Sequence, residues 1–169
     1  ERLEIMDVSA TDKGSMAQKG EVRVAALSIT FGKNESKTTA LTSTDLILEP
    51  GTFTALIGPS GCGKSTLLNA VAGFQSPTEG VVHVDNRRVE GPHPTVGVIF
   101  QNFALFPWFT ARGNVLFALK RFGLPKDEMH ARAIEALDEV GLAEHARKFP
   151  GQLSGGMKQR VAIARTLAA

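Results

Sequence analysis

The sequence predicts an α/β fold in which an antiparallel β part comes first and a helical part follows. Short apolar runs rich in β-branched residues, separated by turn residues, fill the first half of the chain. A unit of strand, glycine-rich loop and helix lies among them. From Thr110 onward, apolar residues recur at helical spacing instead. With 169 residues, the chain has the length of one domain or of part of one.

Strands are predicted wherever an apolar run is bounded by turn residues. They extend from Val22 to Phe31, from Leu41 to Leu48, from Thr52 to Ile57, from Val81 to Val84 and from Val96 to Phe100. Alternation in the first strand places Val22, Val24 and Ala26 on one face, and Leu27, Ile29 and Phe31 on the other. The preceding segment 1–20 is polar and lacks an apolar stretch, so we expect it to be disordered.

Helices are predicted from spacing and from signals at their ends. The first follows the glycine-rich loop and ends at Gly73, and the second extends from Thr110 to Gly123. Pro125 suits the first turn of a third helix, which Gly141 ends. A short helix from Ala143 to Lys148 follows. Ser154 then caps a final helix, whose apolar face holds Met157, Val161, Ala164 and Leu167.

The loop between the strand at Ile57 and its helix has the sequence of a phosphate-binding loop. It reads Gly58-Pro59-Ser60-Gly61-Cys62-Gly63-Lys64-Ser65-Thr66, which matches G-x-x-x-x-G-K-[ST]. The glycines let successive N–H groups face phosphate oxygens, and the helix adds its positive N-terminal end. Lys64 would reach the β- and γ-phosphates, Ser65 would bind Mg²⁺ and Thr66 would lie near the α-phosphate. The alternative is a glycine-rich turn that binds nothing.

Composition excludes several classes of function. The net charge of +2, from 19 basic and 17 acidic residues, is too balanced to indicate binding to nucleic acid or to an anionic membrane surface. The single cysteine, Cys62, cannot form an internal disulfide, which indicates a reducing compartment. Within the loop, Cys62 is either a small residue that the turn tolerates or a redox sensor. No apolar run approaches the roughly 20 residues of a membrane helix.

A second motif begins the final predicted helix and reads Leu153-Ser154-Gly155-Gly156-Met157-Lys158-Gln159-Arg160. Ser154 and the two glycines would expose N–H groups and a hydroxyl at a helix N-terminus, which forms a second anion site. The motif resembles the signature motif of ABC-transporter ATPases, L-S-G-G-Q-x-Q-R. The resemblance implies a head-to-tail homodimer, in which each signature closes on ATP held by the other subunit's phosphate loop. The alternative is an ordinary capped helix with a glycine pair.

Lesser matches extend the resemblance to that family. Gln101 lies where the family keeps its Q-loop glutamine, which contacts Mg²⁺ and the attacking water. Phe31 lies where the family stacks an aromatic ring on adenine, although a plain core phenylalanine is the alternative. The resemblance implies an ABC-type ATPase fold whose cofactors are ATP and Mg²⁺. Its parts are a β-rich and P-loop part over residues 21–101, a Q-loop and helical part over 102–157, and a signature helix over 154–169.

A narrower resemblance is to the ATPases of nitrate, sulfonate and taurine importers. The runs that carry it are Gly73-Phe74, Pro77-Thr78-Glu79-Gly80, Val89-Glu90-Gly91-Pro92, Gly97-Val98-Ile99-Phe100-Gln101-Asn102 and Leu105-Phe106-Pro107-Trp108. It implies a peripheral subunit on the cytoplasmic face of the bacterial inner membrane. Transmembrane permease subunits would dock along the segment from Asn102 to Phe109, and a periplasmic solute-binding protein would act through them. A hydrophobic core is the alternative for that segment.

Two departures from the family are visible. Met157 stands where the signature has Gln, so a polar role of that side chain is in doubt. The family's second Mg²⁺ motif, an apolar strand ending in Asp-Glu, does not follow Ser154. We therefore expect the chain to be an N-terminal fragment that binds Mg-ATP weakly and does not hydrolyse it. The alternatives are a soluble ABC ATPase of DNA repair or translation, a non-catalytic nucleotide-binding module, and an unrelated P-loop kinase.

Overall fold

The computed structural model describes residues 4–8 (backbone only), 19–32, 36–93 and 95–169. The chain forms two compact units, Glu1–Val96 and Gly97–Ala169, hereafter unit 1 and unit 2. Unit 1 holds the strands and the helix that follows the glycine loop, and unit 2 holds the remaining helices. The division between the two units lies between Val96 and Gly97. The boundary after Gln101, between the two parts expected from the family resemblance, stays a prediction.

The described residues of unit 1 form two sheets and one helix. Its elements are β1 (Glu4–Val8), β2 (Val22–Phe31), β3 (Thr38–Leu48), β4 (Phe53–Ile57), α1 (Lys64–Val71), β5 (Glu79–Val84) and β6 (Arg87–Arg88). One sheet has the order β3-β2-β5-β6 with antiparallel neighbours, and the other pairs β1 with β4 antiparallel. The predicted antiparallel β part is therefore present. Asp85 and Asn86 both have positive φ angles, which makes the tight turn between β5 and β6.

A β-bulge changes the faces predicted for β2. Ala26 has φ 45°, and the pairing register with β3 shifts between Val24 and Leu27. The extra residue turns Leu27 onto the face of Val24, so both are buried together with Ile29. Simple alternation was therefore wrong beyond Val24. Gly80 permits the bulge, because a Cβ there would overlap the Ala26 carbonyl oxygen.

Two predictions for chain segments differ from the structure. Glu4–Val8 forms β1 along the edge of β4, although we expected the segment 1–20 to be disordered; residues 1–3 and 9–18 lie outside the described part. Residues 96–100 were predicted as a strand, but that prediction is wrong. No strand of the described part is paired with them, and a strand requires ladder hydrogen bonds to a neighbouring strand.

Unit 2 packs three helices around one core. They are α2 (Ala111–Leu119), α3 (Lys126–Glu139) and α4 (Gly155–Leu167), with 3₁₀ turns at Lys120–Phe122, Ala143–His145 and Pro150–Gln152. Gly123 and Gly141 follow helix ends with φ 64° and 67°, as their predicted roles require. Buried residues from all three helices form the core: Ala111, Val115, Leu119, Ala133, Ala136, Leu137, Val161 and Ala164. Leu167, predicted on that face of α4, is 63% exposed.

Candidate nucleotide site

The predicted phosphate loop lies between β4, which ends at Ile57, and α1, which begins at Lys64. Gly63 is the N-cap of α1 in a left-handed conformation, and its carbonyl accepts from Leu67 N at 2.9 Å. No side chain of the described residues caps α1, and its first turn contains no acidic residue. The N–H groups and positive end of this helix therefore remain available to an anion.

Two glycines of the loop serve different purposes. Gly63 has φ 96°, and a Cβ there would lie 2.7 Å from the Ala40 carbonyl oxygen, so this residue lets the loop pack against β3. Gly61 has φ 85°, yet a Cβ there would meet no atom within 4 Å. The loop thus packs closely against β3 at Gly63, whereas the space beside Gly61 is empty of other atoms. An open backbone surface of this kind is where a phosphate group can approach N–H groups closely.

The ammonium group of Lys64 lies inside the curl of the loop. Its Nζ donates to the Gly58 and Pro59 carbonyl oxygens at 2.7 Å each, and to Cys62 Sγ at 3.5 Å. Cys62 is half-buried, and a Cβ on Gly58 would lie 2.7 Å from its sulfur. The loop therefore holds the Lys64 ammonium group at the place where a phosphate would need a cation. A bound phosphate would compete with the two carbonyl oxygens for this ammonium.

Ser65 and Thr66 occupy the first turn of α1, where the hydroxyl-bearing side chain of Ser65 is exposed. A hydroxyl oxygen is a ligand that Mg²⁺ accepts alongside phosphate oxygens and water. The described residues contain no group of three or more His, Cys, Asp or Glu side chains placed to hold a metal. The loop thus fits Mg²⁺ that arrives with a phosphate ligand, and it does not provide an all-protein metal cage.

Phe31 ends β2 in unit 1 and is 45% exposed, so it is not part of the buried core. Gly32 follows it with φ 89°, a left-handed conformation that favours glycine. A Cβ on Gly32 would overlap the Ser36 carbonyl oxygen, so only glycine fits this turn. The position leaves the Phe31 ring accessible for stacking, as its predicted contact with adenine requires.

The signature motif forms the beginning of α4, as predicted. Ser154 has an extended conformation and accepts from Met157 N at 3.3 Å through its Oγ. Gly155 and Gly156 are exposed, and a Cβ on either would meet no atom within 4 Å. The first turn of α4 contains no acidic residue, whereas that of α3 carries Asp127 and Glu128. The end of α4 is therefore open and positively polarised.

Met157 replaces the amide of the family's signature with an apolar side chain. It is half-buried and packs against the core of unit 2. A thioether in this place adds contact area and cannot donate a hydrogen bond. Packing therefore explains the residue without a polar role.

Gln101 lies in an exposed turn at the start of unit 2. It precedes the aromatic segment, defined here as residues 102–109. Phe106 contacts Trp108 and Phe117, with ring centroids 5.6 and 4.6 Å apart, and Trp108 is 66% exposed. The segment is thus only partly a core element, because its tryptophan presents a large apolar ring to solvent.

Two residues that sequence reasoning missed hold this segment. Asn114 is fully buried, accepts from Phe106 N at 2.8 Å, and donates to the carbonyl oxygens of Phe106, Phe109 and Thr110. The sequence signal for Asn114 is a polar residue at a core position of a helix, next to Val115.

Arg165 on α4 donates to the Phe103 and Ala104 carbonyl oxygens. Burial lowers the pKa of Arg165. An arginine late in an amphipathic helix gives no comparable signal.

The predicted site residues thus divide between the units. Phe31 and the loop from Gly58 to Thr66 belong to unit 1, whereas Gln101 and Ser154 to Gly156 belong to unit 2. Both units present a helix N-terminus with a glycine-rich approach. No helix of the described residues is both long enough and apolar enough to pass through a membrane.

Comparison with known proteins places these features in one family. A family model described as ABC transporter matches residues 41–169. A solved dimeric structure of an ATP-binding cassette in a post-hydrolysis state, bound to ADP and Pi, has a TM-score of 0.76 and 35% identity. The match covers 87% of this chain and 69% of that one.

Curated relatives are similar over most of the chain. A bicarbonate transport ATP-binding protein of Synechococcus elongatus is 51% identical over 76% of this chain and 20% of its own length. A taurine import ATP-binding protein of Pseudomonas aeruginosa is 47% identical, over 85% and 54%. A nitrate import ATP-binding protein of Synechocystis sp. is 44% identical, over 87% and 55%. The chain therefore spans between one fifth and about half of the length of these relatives.

Proposed function

The chain belongs to the ABC transporter family, and from that membership we propose that it is the ATP-binding part of an importer subunit that couples ATP hydrolysis to solute uptake. The observation that carries the proposal is the presence in one chain of two open helix N-termini, at Lys64 and at Gly155. Each has a glycine-rich approach and no acidic residue in its first turn, and a nucleotide phosphate chain suits both.

The proposal gives each residue of the phosphate loop a role, and the contacts of Lys64 support the first of them. Lys64 exchanges its contacts with Gly58 and Pro59 for oxygens of the β- and γ-phosphates, where its charge stabilises the transferring phosphoryl group. The N–H groups near Gly61 hold the phosphates, and Thr66 lies toward the α-phosphate. Ser65 would hold Mg²⁺, which when bound neutralises phosphate charge. Gln101 would have the Mg²⁺ contact that the resemblance to the family's Q-loop implies. The Phe31 ring stacks on the adenine.

The second helix N-terminus requires a second subunit under this proposal. Ser154, Gly155 and Gly156 face the nucleotide of the partner in a head-to-tail homodimer. The description of one similar solved cassette as dimeric supports this arrangement.

Docking to the membrane is proposed for the aromatic segment. Permease subunits at the cytoplasmic face of the inner membrane would contact residues 102–109, and a solute-binding protein would deliver the solute from the other side. The exposed ring of Trp108 supports a protein contact here. The names of similar proteins refer to bicarbonate, nitrate and taurine, which suggests a small anion or a sulfonate as the solute.

Nucleotide binding by this chain tests the proposal. Titration calorimetry with Mg-ATP should detect binding, and Lys64→Ala should weaken it by about tenfold or more, because a charge-assisted contact worth about 1.5–3 kcal/mol is lost. Lys126→Ala is the matched control, since Lys126 is likewise the first residue of a helix. Equal affinity of the wild type and Lys64→Ala would contradict the proposal, and Lys126→Ala should bind like the wild type.

A further inference from the structure

The turn that follows Gln101 has an unusual backbone. Phe103 and Ala104 have φ angles of 60° and 43°, although both carry side chains. A left-handed conformation is strained for such residues and persists only where surrounding contacts hold it. The turn's own hydrogen bonds, from Phe103 N to Phe100 O at 3.0 Å and from Ala104 N to Asn102 O at 2.7 Å, are local. Another part of unit 2 must therefore fix the turn.

Arg165 on α4 supplies that contact. Its Nη1 donates to the Ala104 carbonyl oxygen at 2.6 Å, and its Nη2 donates to the Phe103 carbonyl oxygen at 3.3 Å. The planar guanidinium group thus spans two successive carbonyl oxygens of the strained turn. A lysine ammonium lacks this rigid fork, so the geometry is specific to arginine.

The environment of Arg165 indicates that this contact is the reason for its position. The residue is half-buried, and burial lowers its pKa. No ion pair joins Arg165 to a carboxylate in the described part of the chain. A partly desolvated cation without a counter-ion is costly unless hydrogen bonds compensate it. The two carbonyl oxygens of the turn provide that compensation.

Asn114 holds a different part of the same segment. Its side chain fixes Phe106 through both the N–H and the carbonyl group, at 2.8 and 3.2 Å. The aromatic segment is therefore attached to α2 near Phe106 and to α4 near Ala104. The two attachments are chemically independent, so one can be removed while the other serves as an internal reference.

We propose that Arg165 is a positioning residue that fixes the turn after Gln101 to the signature helix, so that the aromatic segment and the beginning of α4 move as one body. The proposal rests on the proposed function, which gives these regions their roles as permease contact and nucleotide contact. A continuous helix connects Arg165 to Gly155 at its first turn.

Hydrogen exchange in the isotopically labelled chain, followed by NMR without nucleotide, tests this attachment. Arg165→Met keeps most of the side-chain volume and removes the fork. We expect the amides of Phe103 and Ala104 to exchange about tenfold faster in this variant, which corresponds to one decade in the opening equilibrium. The amide of Phe106, held by Asn114, should keep its rate, and the helical circular dichroism should be unchanged.

Arg160→Met is the matched control, because Arg160 also lies on α4 and donates to a carbonyl oxygen, that of Val140 at 3.0 Å. It should leave Phe103 and Ala104 unaffected. Equal exchange in both variants, or faster exchange spread evenly over unit 2, would overturn the proposal. If Arg165→Met does not fold, Arg165→Lys decides: faster exchange at the two amides supports the proposal, and wild-type rates overturn it. The exchange measurement does not require nucleotide binding. Failure of the proposed function would instead appear in the Mg-ATP titration, so the two failures are distinguishable.

Discussion

The two open helix N-termini are built in different ways. At α1, the cap is Gly63 and no side chain of the described residues caps the helix; at α4, Ser154 caps the helix through its hydroxyl. The burial of apolar side chains on and beside the two helices also differs. α1 buries Leu67 and Ala70, but Leu68 on α1 and Phe53 on β4 are 57% and 69% exposed. α4 buries Val161, Ala162 and Ala164, and it exposes Leu167 at its last residue.

This difference separates two ways of holding an anion-binding helix end. The phosphate loop depends on backbone conformations that only glycine adopts without strain, at Gly61 and Gly63. The signature depends on a capped helix that is packed firmly against its neighbours. Substitutions that alter packing should therefore affect α4 strongly, and substitutions that alter backbone conformation should affect the loop.

The largest effect is expected for Leu137→Ala in the core of unit 2. Leu137 is fully buried on α3, in the same core as Val161, so its truncation should cost about 2–5 kcal/mol of unfolding free energy. Leu68→Ala on α1 makes the same chemical change at an exposed site and should cost less than about 0.5 kcal/mol. Urea unfolding, followed by Trp108 fluorescence for unit 2 and by hydrogen exchange for unit 1, measures both. Equal costs would mean that burial does not separate these two leucine positions.

The next effect is expected for Gly63→Ala in the loop. The new Cβ would lie 2.7 Å from the Ala40 carbonyl oxygen in a left-handed conformation, so we expect a loss of about 2–3 kcal/mol. Gly61→Ala has the same backbone strain without the overlap and should cost only about 1 kcal/mol. Hydrogen exchange of the β2 and β3 amides reports both changes. If the two variants were equally stable, contact with β3 would not be what requires Gly63.

A smaller effect is expected for Ser154→Ala. Loss of the bond to Met157 N should destabilise unit 2 by about 1 kcal/mol. Ser65→Ala is the matched change in the first turn of α1, where no side-chain cap exists, and it should leave stability unchanged. Denaturant midpoints of the two variants measure the contrast. A similar loss in Ser65→Ala would mean that α1 also relies on a hydroxyl in its first turn.

Local sequence signals predicted the elements that they encode directly. The loop from Gly58 to Thr66, the cap at Ser154 and the helix ends at Gly123 and Gly141 all appear where the pattern placed them, because each depends on neighbouring residues. The family resemblance is confirmed by the family model and by importer relatives.

Features that depend on distant partners were not predictable. The bulge at Ala26 depends on the approach of Gly80 from β5, and alternation within one strand contains no sign of it. Residues 96–100 have the composition of a strand, but a strand also needs ladder hydrogen bonds to a neighbouring strand. From the sequence, Arg165 looks like a surface arginine. Its contact is with the Ala104 carbonyl oxygen, and because every residue has a carbonyl group, the sequence does not show which one the arginine meets.

The smallest effect is expected for an exposed ion pair at the start of β2. The hydrogen bond from Arg23 lowers the pKa of Glu21, so Glu21 is more acidic in the folded chain than in the unfolded chain. The resulting stabilisation is present above the unfolded pKa and is lost as the pH falls through the lower folded pKa. Because Arg23 is exposed and Glu21 is only partly covered, salt and water weaken the pair. Glu21→Gln should thus lower the denaturant midpoint of unit 1 slightly at pH 7 and not at all in acid. A loss as large as that of Gly63→Ala would mean that surface charge, and not backbone conformation, supports the loop-bearing unit.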